Sequence, residues 1–598
     1  MQNNNPIFKV NCERISRQAR YKVSFKFNTQ VIGRIKDLPR KQRDYVPEGK
    51  YWEVSTKGLY EVIKSYKNSN KIFFDFGEGR IDFLNQIKKI EFEIAEKKRI
   101  TKELEDNKIF WTKYKEELEE NYHDKSELVH KNLKNGIKLF PYQIVGTLFL
   151  NEVKNALLSM EMGLGKTIVS IAYVEMNNFE KVFVITPNSL KFNFLNEIEK
   201  FTNSKAHIIN WKKNKYTLEE SKYVIVNYEF FSTKDKSKMD EKFNKLNLGK
   251  IDVVIADESH RLKSSKSNSY KNFKRIFKSS LFKKEKKSSV YMSGTPAPNK
   301  SLELYTVLNQ ISPIEFPTKR HFQEYYCGMK YDAGVIGRWV TNPNEMRLEE
   351  LYKKIAPYTY RKRKQDVLKD LPDKMYQKII VDLSDSEQKT YNDIEMDVVN
   401  EIFEKPTSNP LTIMLRLRQY TSSLKLKHLK EIIDRLLEEN EKIVIVDVFK
   451  SVLYDIHEMY PNVSAVHTGD QTVEERATIV EKFQDENSNL RIFLGSIQTC
   501  NYGLTLTAAN KLFIITLPYS VGEYDQVSDR LHRVGQKNTV NIYPIIFKDT
   551  LDEYVFYMIE EKRKEIMKVI DNEDYVSNVE DFNINDIINI MKKKYNIK

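Results

Sequence analysis

A glycine-rich turn followed by lysine and threonine stands at Gly163-Leu164-Gly165-Lys166-Thr167, behind the apolar run Ala156–Ser159 and ahead of the helical stretch Ile168–Val174. Strand, glycine turn and helix start in that order make a cradle for phosphate. The glycines let backbone N–H groups turn inward, and the helix N-terminus adds positive potential. Lys166 would reach the β- and γ-phosphates of a nucleotide, and Thr167 would offer its hydroxyl to Mg²⁺. Met160 holds the position where the strict GxxxxGK[ST] pattern has its first glycine. A second acidic site follows another apolar run, Ile251–Ala256, at Asp257-Glu258-Ser259-His260. A carboxylate at the end of a buried strand can hold Mg²⁺, so Asp257 is the expected metal residue beside Thr167. Glu258 is then placed to take a proton from the attacking water. Gln143, in Leu139-Phe140-Pro141-Tyr142-Gln143, has an amide that can both donate and accept, as an adenine edge requires; a surface glutamine is the plainer alternative.

These residues need a sheet to carry them, and the sequence supplies one twice. From residue 136 short apolar runs recur at Ala156–Met160, Val182–Thr186, Val224–Asn227, Val253–Asp257 and Val290–Ser293, mostly followed by helical stretches. Continuous apolar runs alternating with helices predict a parallel sheet covered on both faces. Residues 300–430 read mostly helical, and the rhythm returns at Ile443–Val448, Ser464–His467, Arg491–Gly495, Leu512–Leu517 and Val540–Ile546. Ahead of these, residues 1–80 mix elements. Tyr21–Phe27 and Tyr51–Val54 read as strands, and the spacings Val31, Ile32, Ile35, Leu38 and Leu59, Val62, Ile63 read as helices. Residues 81–134, dense in Lys and Glu without proline, read as exposed helices joining domains.

Composition bounds the class. At 598 residues, three or four domains of about 150 each are expected. Apolar residues make up 40% and aromatics 12%, enough for real cores. No apolar run approaches the ~18 residues of a membrane span, and the start MQNNNPIFKV has no secretory pattern. Cys12, Cys327 and Cys500 lie far apart, which excludes a disulfide framework or a CxxC zinc site and points to a reducing, cytoplasmic setting. The net charge of +14 is compatible with an acidic polymer partner, though Lys and Asn are both abundant, as an AT-rich genome produces.

Near the C-terminus stands Gln526-Val-Ser-Asp529-Arg530-Leu-His532-Arg533-Val-Gly535-Gln536, whose arginines share one helix face. With the phosphate loop, the DESH sequence and Ser293-Gly294-Thr295-Pro296 ahead of it in order, the chain resembles the Swi/Snf-type DNA translocases of helicase superfamily 2 over roughly residues 136–570. The resemblance implies two RecA-like parallel-sheet lobes with helical protrusions, an α/β architecture, plus a small N-terminal α+β accessory domain. Its implied bounds are 1–80 for the accessory domain, 81–135 for a helical linker and 136–312 for lobe one. Protrusions and the interlobe linker take 313–428, lobe two 429–570 and a tail 571–598. Asn299–Cys327 looks like the first protrusion, Tyr360–Leu368 like the linker, and Thr550–Lys562 like the bracing helix.

The resemblance also implies ATP as substrate with Mg²⁺, held by Gly163, Leu164, Gly165, Lys166, Thr167, Gln143 and Gln526. It makes Arg530 and Arg533 arginine fingers that meet the γ-phosphate across the lobes. Ser189, Lys191 and Asn227 in lobe one, and Gly469 and Gly503 in lobe two, fit motifs facing a nucleic-acid backbone. Leu517-Pro518-Tyr519-Ser520 departs from the family's Pro-Trp-Asn. The implied partner is double-stranded or branched DNA, with no membrane and no protein partner indicated. The implied setting is a bacterial cytoplasm at the nucleoid, or the host cytoplasm for a viral protein. Residues 1–80 are spaced like the accessory domain of annealing helicases, the alternative being an unrelated small domain with Tyr51 and Trp52 in its core. The basic stretch 261–288 reads as a solvated helix and loop, with phosphate contact as its alternative. The expected activity is ATP-driven movement on duplex DNA that remodels it. Rivals are a strand-separating helicase, a non-catalytic DNA-binding scaffold, and a nucleotide switch or kinase.

Overall fold

The computed structural model describes residues 8–15, 20–38, 42–66, 72–88, 91, 113, 116–209, 221–246, 250–277, 288–328, 330–332, 338–340, 345–404, 410–500, 503–572, 590–591 and 594–595. The Lys283–Lys287 run, most of 89–112 and most of the tail from 573 lie outside the described residues. The chain divides into two units, Met1–Phe110 and Trp111–Lys598.

The first unit is a five-stranded sheet. Strands β1 (Phe8–Arg14), β2 (Arg20–Phe25), β3 (Arg43–Val46), β4 (Tyr51–Ser55) and β5 (Ile72–Asp75) lie in the order β3-β4-β2-β1-β5, with only β1 and β5 parallel. Period-two alternation turns Val10, Cys12, Tyr21, Val23 and Val54 onto one face. Two helices cover that face. Thr29–Asp37 is capped by the Asn28 side chain accepting from the N–H groups of Gln30 and Val31, and Thr56–Ser65 by Ser55 accepting from Gly58 N–H. Phe83 and Ile87, on the helical stretch beginning at residue 80, complete this core. The expected boundary at residue 80 therefore falls ahead of the helix that closes the module. Trp52 packs against the core, while the Tyr51 ring lies under the Lys22 ammonium at 4.8 Å.

The second unit holds two parallel sheets. In lobe one, β6 (Asn155–Met160), β7 (Val182–Thr186), β8 (Ala206–Ile208), β9 (Tyr223–Asn227), β10 (Val253–Ala256), β11 (Ser288–Met292) and β14 (Thr359–Lys362) stand in the order β14-β6-β11-β10-β7-β9-β8. The central strands β7 and β10 are wholly buried, so their apolar runs are unbroken. Each buried Val, Ile or Phe contributes about 1.5–3 kcal/mol of transfer free energy. The hairpin β12 (Lys330–Asp332) and β13 (Arg338–Val340) precedes β14. In lobe two, β15 (Lys374–Tyr376), β16 (Ile379–Val381), β17 (Ile443–Asp447), β18 (Ser464–His467), β19 (Ile492–Ser496), β20 (Lys511–Ile514) and β21 (Val540–Phe547) run β15-β21-β20-β17-β19-β18, with β16 also on β21.

Two corrections follow for the segment between the lobes. Tyr360–Leu368 is not a free connection, because Thr359–Lys362 is the edge strand of lobe one, pairing in parallel with Leu157–Met160. Lobe two likewise takes strands from before residue 429, since β15 and β16 both pair with β21. In both cases a short segment satisfies the backbone groups of an apolar strand that would otherwise be left at an edge. The expected helical linker also divides: Leu118, Val129 and Leu133 pack into the core of lobe one. Asn299–Cys327 forms the short helices Tyr305–Ile311 and Lys319–Tyr325, which share a core with Leu348, Leu351, Ile355 and the end of the helix Leu551–Ile570.

Candidate nucleotide site and nucleic-acid face

The phosphate loop leaves β6 and enters the helix Lys166–Met176 through Gly163 (φ 85°) and Gly165 (φ 82°), left-handed positions that suit glycine. A Cβ at Gly165 would stand 2.5 Å from Gln143 Nε2. That closeness has a purpose: Gln143 Nε2 donates to the Leu164 carbonyl at 3.1 Å, and its Oε1 accepts from Phe140 N–H at 3.0 Å. Gln143 thus braces the loop, with both ends of its amide engaged. The rings of Phe140 and Tyr142 stack nearby, 5.7 Å apart and 6° from parallel.

Lys166 lies fully within the site, its ammonium on the Met160 carbonyl at 3.0 Å. Burial lowers its pKa, Asp257 and Glu258 oppose that, and Arg533 and Arg361 add to it. Asp257 Oδ2 accepts from the Thr186 hydroxyl at 2.9 Å, and its Oδ1 from Glu258 N–H at 3.0 Å. Burial, then the Glu258 charge, raises the Asp257 carboxyl above the usual carboxylate range. Burial would raise Glu258 too, but the hydrogen bond and charge of His260, with Lys166 and Arg530, hold it below that range. His260 Nδ1 lies 3.3 Å from Glu258 and 3.1 Å from the Ser293 hydroxyl. Glu258 itself is left-handed (φ 48°, ψ 52°) without being glycine, a strained backbone of the kind that gathers at working sites.

From lobe two, Arg530 lies with its guanidinium 3.5 Å from Met162 Sδ, and the Arg533 stem lies 3.8 Å from where a Gly163 Cβ would be. Arg533 donates to the Thr505 hydroxyl at 3.1 Å and the Asp529 carbonyl at 3.2 Å. Burial, then Arg530, lowers its pKa to about 9. Lys166, Arg530 and Arg533 so gather around one loop, Arg530 buried and the other two half-buried, their charges repelling, beside two carboxylates that disfavour sharing negative charge. A polyphosphate relieves the first group and a divalent cation the second, so the residues present fit a metal-bound nucleoside triphosphate. Thr167 and Asp257 are the residues that would hold the cation; Glu197 reaches the Thr167 side chain by a hydrogen bond.

Gln526 is placed differently from Gln143. Its Nε2 donates to Thr295 Oγ1 at 3.1 Å, on the seam where Gly522 N–H and Ser520 Oγ meet the Pro298 carbonyl. A cleft of about 410 Å³ opens there, bordered by Tyr228, His260, Lys263, Glu523 and Gln526. The unusual Tyr519 stacks under Arg418, whose guanidinium is 4.1 Å from the ring centroid, while its carbonyl accepts from Lys562 at 2.7 Å. Tyr519 thus presents its ring to the Arg418 guanidinium.

Of the expected nucleic-acid residues, four converge. Ser189 lies in the turn Asn188–Leu190, Lys191 opens the helix Lys191–Phe201, and Asn227 ends β9 with its amide 3.3 Å from Asn188. Gly503 of lobe two (φ 71°) comes to the same helix: a Cβ there would stand 2.9 Å from Asn193 Nδ2. Gly469 sits apart, beside the Lys450–Asp470 pair. Arg361, Lys364, Thr186, Thr505 and Glu197 also reach the site, and no spacing pattern marks them in the sequence because their contacts arise from the fold.

The model of the SNF2-related domain matches residues 59–426, and that of the helicase conserved C-terminal domain matches residues 424–535. An uncharacterized ATP-dependent helicase of Mycoplasma genitalium is 26% identical over 441 residues, covering 69% of this chain and 40% of the relative. The DNA annealing helicase and endonuclease ZRANB3 of Homo sapiens is 27% identical over 441 residues, covering 71% and 40%. The SWI/SNF-related matrix-associated actin-dependent regulator of chromatin subfamily A-like protein 1 of Xenopus laevis is 26% identical over 580 residues, covering 94% and 54%. The chain thus spans about 40–54% of the length of these relatives. The Sulfolobus solfataricus SWI2/SNF2 ATPase core in complex with dsDNA has 24% identity and a TM-score of 0.35, over 74% of this chain and 98% of that one.

Proposed function

This chain belongs to the SNF2-related family, and from that premise we propose that it is a DNA-dependent ATPase that moves along double-stranded DNA and remodels it by annealing, fork regression, branch migration or displacement of bound proteins. The supporting observation is that catalytic groups from two lobes share one loop: Lys166, Asp257 and Glu258 from one, Arg530 and Arg533 from the other. A switch or kinase would not account for a whole second α/β lobe that carries the second set. Mg²⁺, held by Thr167 and Asp257, would neutralise charge building on the phosphates. Lys166 would orient the β- and γ-phosphates, and Glu258 would take the proton of the attacking water. Arg530 and Arg533 would stabilise the transferring phosphoryl only when the lobes are together, which ties hydrolysis to lobe position. Ser189, Lys191 and Asn227 would grip one strand with Gly503 opposite, through backbone contacts that carry little sequence information.

The first unit would act as an accessory module that favours branched DNA. The match covering 94% of the chain reaches into it, since residues 111–598 are 488 of 598. The likeness to relatives named for helicase and annealing activity supports a setting at the DNA. The test is ATP turnover with no nucleic acid, single strand, plain duplex and forked duplex. Duplex or fork is expected to stimulate most; a larger response to single strand would favour the strand-separating reading, and turnover indifferent to DNA would overturn both.

A further inference from the structure

The segment following β14 ties the two halves of the nucleotide site together. Arg361, on β14, sends its Nη1 to the Ser159 carbonyl at 3.2 Å, ahead of the phosphate loop, and its Nε to Asp571 at 2.8 Å. Three residues on, the Lys364 backbone N–H donates to Glu161 Oε2 at 2.8 Å, within the loop itself. The Lys364 ammonium crosses to lobe two, donating to the His532 carbonyl at 2.6 Å and lying 3.1 Å from Asp529 Oδ1. These two residues flank Arg530, and the Asp529 carbonyl accepts from Arg533 Nε. Lys364 is 3% exposed. A lysine buried this deeply is costly unless its charge is used, and nothing in phosphate binding uses it.

We propose that Lys364 is a positioning residue for the arginine fingers: it fixes the Asp529–Arg533 turn at a set offset from Glu161 of the phosphate loop. This inference rests on the ATPase reading above. At the ammonium stand Asp529 and the His532 carbonyl from the finger turn, with Lys374 from β15 sharing Asp529 at 3.0 Å, while Glu161 from the loop accepts from the Lys364 backbone N–H and adds its charge. Lys364 provides the direct side-chain link from the phosphate-loop segment, whereas Lys374 joins Asp529 to lobe two's own sheet. Burial holds Lys364 down at about 8, with Lys374 opposing its charge and Asp529 and Glu161 favouring it. Its charge therefore declines as pH rises through about 8, and the tether weakens there.

The experiment is steady-state ATPase of full-length wild type and Lys364→Met from pH 6.5 to 9.5 with saturating duplex, alongside thermal unfolding and fluorescent-ADP binding. At pH 7 the variant is expected to lose about 10–10²-fold in kcat, as a misplaced catalytic group does, with KM for ATP within about threefold. The ratio of wild-type to variant turnover should shrink toward one above pH 9, where the wild type also lacks the charge. A lysine that serves only the fold predicts thermal stability and ADP binding lost together with kcat. A flat ratio, an unchanged kcat, or ADP binding lost with kcat would each overturn the inference. Should Lys364→Met not remain folded, Lys364→Gln is read the same way. If the wild type turns over no ATP on any DNA, the proposed function has failed; if it does and the ratio is flat, only the tether has.

Discussion

Lys166 and Glu258 sit close enough to shift each other's protonation, yet their substitution should have different consequences. Lys166→Ala removes the side chain expected to orient the phosphates but leaves Ser189, Lys191 and Asn227 in place. DNA binding should persist in a mobility-shift assay while turnover falls below about a tenth of wild type, since phosphoryl-transfer catalysis is chiefly positioning and charge stabilisation. Glu258→Gln keeps the shape, and an amide can still pair with His260, but it cannot take a proton. Nucleotide affinity should stay near normal while kcat falls by about 10²–10⁴. Loss of affinity instead would make Glu258 structural, which its left-handed backbone makes a real contest. The local signals for these residues were legible because each follows an apolar strand. Gln143 was legible in place but not in partners: its hydrogen bonds to Leu164 and Phe140 depend on a helix entering beside the loop.

At the scale of elements, the seam between the lobes turns on Gly522, the second residue of the helix Val521–Ser528. A Cβ there would lie 2.5 Å from Pro298 Cβ and 3.0 Å from Pro298 Cα, with backbone that has no flexible end to give. Gly522→Val should therefore hold the finger turn away from the loop and lower duplex-stimulated kcat by about 10²-fold or more, the cost of misplacing a catalytic group. ADP binding by lobe one should survive, and equilibrium binding with fluorescent ADP checks it. Within lobe two, the helix Leu415–Glu438 is fastened to the bracing helix by Lys425 and Asp552, 2.7 Å apart and both buried. Lys425→Met leaves a carboxylate buried without that partner and should cost about 3–5 kcal/mol in chemical denaturation, as broken buried pairs do. The strands of both sheets could be read from their apolar runs. β14 could not: Tyr360-Arg-Lys-Arg-Lys is mostly charged, and only docking beside β6 makes it a strand. Arg361 and Lys364 were hidden for the same reason.

On the whole-molecule scale, the catalytic groups all lie in the unit Trp111–Lys598, while the first unit has its own sheet, caps and core. The sequence made this module visible through the alternation in β2 and β4, but placed its end too early. The helix with Phe83 and Ile87 is rich in polar residues and reads as a spacer until those two side chains are seen closing the core. Removal should therefore take residues 1–110 rather than 1–80, since the shorter cut would strand Phe83 and Ile87 in water. The family match begins at residue 59, inside the same module, which gives the opposite expectation that part of it serves the motor. An independent module that contacts a second DNA arm adds effective concentration at a junction and leaves the chemistry unchanged. The truncated protein should then keep duplex-stimulated turnover within about threefold, and lose about tenfold or more in apparent affinity for a fork, less than the 10²–10⁴ that linked sites can reach. Both substrates must be compared at one ionic strength, because phosphate contacts weaken steeply with salt. Equal loss on fork and plain duplex, in a truncated protein that still melts cooperatively, would assign the first unit to the motor itself.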